Sequence, residues 1–157
     1  SMSTDFDRYS KVIKEINSEN LNLKLDSPEK LNNLLCNINK FVTKRLEDAG
    51  GADCMQWFLI TMKKYKVLLT VMSLYSQNSS TYKEEIIKKL NKYSYKTISQ
   101  IVDEALLKKY LIYKKHINGS DNKTKLIVPS VELLSAYINW NLKHIENYSN
   151  AVKNINK

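Results

Sequence analysis

A short run of side chains in this sequence is equipped to recognise a ligand through hydrogen bonds: Ser94, Tyr95, Lys96, Thr97, Ser99 and Gln100, with Asp103 one turn further on. Lys can bond guanine and Gln can pair with adenine, while Thr can touch a thymine methyl or a phosphate. Ser and Tyr hydroxyls suit phosphate oxygens. Ile98, Ile101, Val102, Ala105 and Leu106 recur between them at spacings of three and four. The polar set therefore occupies one face of a helix whose other face is apolar. Polar helix faces are common solvated surfaces, so the meaning of this one depends on what flanks it.

A second set is basic. Lys114, Lys115 and His116 precede the polar tip Asn118-Gly119-Ser120-Asp121-Asn122, and Lys123 and Lys125 follow it. On a hairpin such residues hold backbone phosphates or enter a minor groove. They serve equally as solubilising charges on an exposed hairpin.

Other chemistries find less support. His116 and His144 lie in different segments with no Ser or Cys at motif spacing, so no catalytic residue is expected. The three glycines, Gly50, Gly51 and Gly119, form no phosphate-cradling loop. Cys36 and Cys54 lack metal-ligand spacing, so no metal site and no cofactor are expected. Each thiol reads as buried and structural, or as a redox sensor in accessible, positive surroundings. Trp57, Phe58, Tyr137 and Trp140 either line a pocket for a small-molecule effector or fill a core, as aromatic residues at helical spacing more often do.

The elements that position these residues follow from periodicity and punctuation. The chain has 157 residues, 43% of them hydrophobic, with 3 Gly and 2 Pro. That length can bury a core, and the scarcity of turn formers favours helices over sheet. Residues 4–20 form a short helix with Phe6, Tyr9, Val12, Ile13 and Ile16 on one stripe. Ser27 caps a longer helix with Pro28 in its first turn, and Ala49-Gly50-Gly51-Ala52 ends it. Asp53 caps the next helical stretch, 53–76, whose first part is apolar almost all round. Lys63-Lys64-Tyr65-Lys66 breaks that run, leaving open one bent helix or two. Ser79, Ser80 and Thr81 offer caps for a helix over 82–90, and Ser94 caps the helix 95–109 after the turn Asn91-Lys92-Tyr93. Strands over 110–117 and 123–128 follow, the second with Leu126 and Val128 facing inward. An apolar helix over 131–154 closes the chain and needs a partner, within the chain or from a second copy.

The net charge is +9, from 25 basic and 16 acidic residues. Residues 79–130 hold 11 basic against 5 acidic, so two thirds of the excess lies on the helix-turn-helix and hairpin. Basic surfaces also serve membranes and acidic proteins. Coincidence with a helix pair of this pattern points to nucleic acid. No stretch is apolar for long enough to span a bilayer, and no signal-peptide core leads the chain. A reducing, cytoplasmic setting without a membrane partner is expected.

Residues 64–130 resemble the DNA-binding core of MarR-type winged-helix regulators. The resemblance is carried by Tyr65-Lys66-Val67-Leu68-Leu69, by Ser94 through Val102, and by Leu107-Lys108-Lys109-Tyr110-Leu111-Ile112. Asp121-Asn122-Lys123-Thr124-Lys125 stands where the family has an Asp-x-Arg wing tip, and Pro129-Ser130 where its final helix starts. Two departures are Lys123 in place of the wing Arg and Tyr110 where a Gly is common. The resemblance implies a homodimer built from N- and C-terminal helices, with two reading heads on a pseudo-palindrome. Some members sense oxidants through a cysteine near those helices.

The sequence thus leads to a mainly α fold with a small β-hairpin wing, a winged helix-turn-helix flanked by dimerisation helices. Its parts are 4–62, 64–130 and 131–154, packed together. The expected role is a sequence-specific, dimeric regulator of transcription that binds double-stranded DNA. Ser94, Tyr95, Lys96, Thr97, Ser99 and Gln100 would face bases and backbone, and Lys114, Lys115, Lys123 and Lys125 would hold phosphates. The alternative is a winged-helix interaction module that binds an acidic protein without reading DNA sequence.

Overall fold

Hydroxyl caps set most of the helix starts in this chain. Seven helices fall among the residues described by the computed structural model, which are 2–20, 23–77, 81–114 and 125–155. They are α1 (Met2–Glu19), α2 (Pro28–Asp48), α3 (Asp53–Leu59), α4 (Met62–Ser76), α5 (Lys83–Lys89), α6 (Tyr95–Leu107) and α7 (Val131–Ile155). Two antiparallel strands, β1 (Leu111–Lys114) and β2 (Leu126–Pro129), complete the order. The chain is mostly helical with one small sheet. It divides into two units, Ser1–Glu47 with Lys143–Lys157, and Asp48–Leu142.

In the first unit, Ser27 Oγ accepts from the Lys30 amide at 3.2 Å and starts α2. Asn17 of α1 donates to the Leu25 carbonyl at 2.9 Å, tying α1 to the segment before α2. Phe41 stacks on His144 of α7, ring centroids 4.9 Å apart, and lies 6.1 Å from Tyr148. Of the apolar positions along α2, Leu31 is buried, whereas Leu35, Ile38, Val42 and Leu46 remain exposed.

In the second unit, the stretch 53–76 is two helices. Thr61 separates them, its hydroxyl accepting from the Lys64 amide at 3.1 Å. Lys63-Lys64-Tyr65-Lys66 therefore opens α4 and does not interrupt a helix, because the capping hydroxyl sits just ahead of it. The cap before α3 is Ala52, without a side-chain bond, and Asp53 is its first helical residue. Met55, Trp57 and Phe58 are buried, but Ile60 and Met62, at the break, lie on the surface. Burial of this run is thus one-sided.

Around α4 pack α3, α5, α6 and β2. Phe58, Met55, Val67, Leu68, Val71, Ile86, Ile98, Val102, Leu111, Ile127 and Leu133 are fully buried there. At about 25 cal/mol per Å² of apolar surface, eleven such side chains supply the main driving force for this unit. Tyr65 and Trp140 meet edge-on with centroids 6.4 Å apart, joining α4 to the first half of α7. Ser130 Oγ accepts from the Leu133 amide at 3.0 Å and caps α7.

The strand register pairs Leu111 with Pro129 and Tyr113 with Ile127. Ile127 and Pro129 are the buried residues of β2, the reverse of the expected Leu126 and Val128. Both sets are apolar, so alternation alone could not choose between them. Thr81 supplies the missing information: its carbonyl accepts from the Ile127 amide at 2.8 Å and fixes that residue against the core. The tip 115–124 and residues Ser79 and Ser80 lie outside the described residues. Helix α5 begins after Tyr82, which makes no side-chain cap bond.

Candidate functional site

The polar face of α6 is positioned from the inside outward. Ile98, Ile101, Val102 and Ala105 are buried and lock one face of the helix into the core. Lys96, Gln100, Asp103 and Leu107, spaced by four, three and four, then occupy the opposite face and are all exposed. Leu107 is 82% exposed and so lies on the outer side, not beside the apolar stripe. The turn before α6 is closed by the Tyr93 amide on the Leu90 carbonyl at 3.0 Å.

Ser94 and Thr97 serve the helix start. Ser94 Oγ accepts from the Thr97 amide at 3.2 Å and bonds the Thr97 hydroxyl at 2.7 Å. Thr97 is half-buried, so what it offers outward is chiefly its methyl edge. Tyr95, 56% exposed, donates its hydroxyl to Glu84 of α5. That bond holds the Tyr95 phenol above its ordinary pKa and keeps it a donor. Lys83 of α5 pairs with Asp103 of α6 at 2.7 Å. These two links cross between α5 and α6 on the surface and fix the turn angle. Ser99 is half-buried at the flank of the polar face.

Of the basic strand residues, Lys114 and Lys125 are exposed. Lys125 Nζ sits over the Tyr113 ring, 5.1 Å from its centroid. Lys115, His116 and Lys123 fall outside the described residues. Behind the site, α6 ends in a left-handed residue, Lys109, at φ 63°. The Lys109 amide donates to the Leu106 carbonyl at 3.1 Å and the Tyr110 amide to the Ala105 carbonyl at 3.0 Å. This is a Schellman ending, and it turns the chain from α6 into β1. Tyr110 then packs near Trp57 and Phe58, centroids 5.9 and 6.3 Å away.

The aromatic residues expected to line a pocket or fill a core take the second role where they are buried: Trp57, Phe58 and Trp140 belong to the hydrophobic core, with Tyr137 packed against it. Cys54 is buried and burial pushes its thiol above the ordinary value, whereas Cys36 is exposed on α2. No group of His, Cys, Asp and Glu suited to a metal occurs among the described residues. No helix among them is long and apolar enough to cross a membrane.

Two lysines outside the expected set stand beside this site. Lys63 and Lys66 of α4 both place their ammonium groups over the Tyr93 ring, 5.6 and 5.2 Å from its centroid. Their spacing of three on one helix face was a visible signal, but nothing local in sequence connects them with Tyr93. No protein-family model matches the chain, and no curated protein matches it in sequence.

Proposed function

We propose that this chain is a dimeric, sequence-specific DNA-binding regulator of transcription, with a winged helix-turn-helix as its reading head. In this reading α5 and α6 are the helix pair, α6 enters the major groove, and β1 and β2 form the base of the wing. The observation that carries it is the division of α6: four buried apolar residues hold it, while Lys96 and Gln100 stand one turn apart on the outward face near its N-terminus. Groove-reading helices meet base edges with those first turns. Lys96 is suited to guanine and Gln100 to adenine, each good bidentate contact being worth about 1–3 kcal/mol of discrimination. Thr97 presents its methyl edge to a thymine, and Tyr95, Ser94 and Ser99 contact the backbone beside it. Lys114 and Lys125 hold phosphates at the wing. The exposed apolar stripes of α2 and α7 receive a second copy.

Selection from a random duplex pool tests this, run on the wild type and on Lys96→Ala/Thr97→Ala/Gln100→Ala. A two-fold-symmetric motif recovered by the wild type and lost in the variant is the expected result. Weak, salt-sensitive binding without a motif, equal in both proteins, would overturn it and favour an interaction module for an acidic protein.

A further inference from the structure

The reading head as described so far draws its phosphate contacts from the wing alone. Duplex binders usually flank the base-reading residues with backbone contacts, which supply about half to two thirds of their hydrogen bonds and fix the register. A second basic locus exists at the opposite end of α6. Tyr93 lies in the turn directly before Ser94, the cap of that helix. Two ammonium groups sit over its ring, Lys63 at 5.6 Å and Lys66 at 5.2 Å, and Lys92 is exposed next to it in the chain. Among the described residues no carboxylate is paired with any of the three; the ion pairs there are Lys30 with Asp26 and Lys83 with Asp103.

This arrangement leaves charge uncompensated. Two cations brought to one ring repel each other, and the ring quadrupole offsets that by only about 0.5–1 kcal/mol each at exposed sites. A tyrosine face engages one side of an ammonium and leaves N–H donors free for an anion. It also narrows the conformations of two long side chains, which lowers the entropy lost when they bind.

We propose that Lys63 and Lys66, ordered over Tyr93 and joined by Lys92, form a second phosphodiester-binding site for the duplex strand that passes the N-terminal end of α6. The proposal rests on the DNA-binding reading. The site belongs to α4, outside the helix pair and the wing, and it would clamp the backbone on the near side of the bases read by Lys96. It carries no sequence information of its own.

The test uses the full chain and the duplex recovered by selection, with affinity measured across a series of salt concentrations. The variant is Lys63→Gln/Lys66→Gln, which keeps the stems and helix propensity. A charge-matched Lys14→Gln/Lys40→Gln variant reports the effect of lowering net charge by the same amount. Each lost phosphate contact lowers the salt slope by about 0.9. The expected result is a slope shallower than that of the charge-matched variant by about 0.9 to 1.8, weaker binding on every sequence, and an unchanged recovered motif. A slope equal to that of the charge-matched variant, with specific wild-type binding intact, would overturn this site and leave the DNA reading standing. A wild type that binds no duplex would overturn both.

Discussion

At the scale of single residues, the two cysteines and one histidine show how environment separates chemically identical groups. Cys54 is fully buried beside Met55, and desolvation by that burial raises its pKa, with Glu132 adding in the same direction. Thiolate is the reactive form, so Cys54 should resist alkylation in the folded protein. Cys36 is exposed. A chromogenic disulfide reagent should titrate one thiol rapidly in native protein and two after denaturation; two rapid thiols in the native state would contradict the burial of Cys54. His144 stacks on Phe41, and its Nδ1 is buried without a hydrogen-bond partner. Burial lowers its pKa, and the nearby Arg45 lowers it further. The folded state then binds a proton less readily than the unfolded chain, whose histidine titrates near about 6.5. His144 therefore favours folding fully above that pH, and this contribution is lost as pH falls through the lower folded-state pKa. The melting temperature should drop on acidification from about pH 7 to about pH 5. His144→Gln should flatten that drop, and an unaltered profile would remove His144 as its cause. At the reading face, Gln100→Ala should relax base preference at one position by about 1–3 kcal/mol of discrimination while leaving the salt slope alone.

At the scale of elements, the ending of α6 carries a specific cost. Lys109 is the one non-glycine residue with positive φ among those described, and it occupies the position where Schellman endings usually place glycine. A side chain in the left-handed region costs about 1–2 kcal/mol, partly offset by glycine's greater entropy loss on folding of about 0.5–1 kcal/mol. Lys109→Gly should therefore stabilise the protein by about 0.5–1 kcal/mol, a rise of roughly 2–4 °C in Tm. A lower Tm would mean that the lysine stem contributes packing that outweighs the strain. This residue also shows what was legible in sequence. The helix-turn-helix and the two strands could be read because hydroxyl caps, apolar spacing and a polar tip all act over a few residues: Ser27, Ser94 and Ser130 each cap the helix expected of them. The displaced glycine position was read as Tyr110, one residue late, because helix ends depend on the left-handed residue itself. The break at Thr61 was hidden by the lysines that follow it, and the inward face of β2 by an apolar run with no polar marker. The cation pair on Tyr93 joins residues 27 and more positions apart, a contact that only tertiary packing creates.

At the scale of the whole molecule, the question is what covers the apolar stripes. Leu35, Ile38, Val42 and Leu46 follow one another at spacings of three and four along α2 and are 61%, 41%, 52% and 62% exposed. On α7, Ile145, Tyr148 and Val152 are exposed in the same unit. Single exposed leucines are ordinary surface features, but a continuous stripe on a helix marks an interaction face. A self-complementary pairing through two-fold symmetry is the commonest way for a chain to cover such a face. It would also give the reading heads the symmetry that a palindromic motif requires. The wild type should therefore elute with twice the 18.3 kDa chain mass in light scattering. Leu35→Asp/Leu46→Asp places two charges in the stripe while touching none of the buried residues of α2, so the helices should persist by circular dichroism and the mass should halve. Duplex affinity should then fall steeply on a full palindrome and little on an isolated half-site, because each head retains its own contacts and loses only the second, linked one. Equal losses on both duplexes would mean that the substitutions harmed the head itself. A wild type of monomeric mass would remove the dimer from the proposed function and leave α2 without its partner.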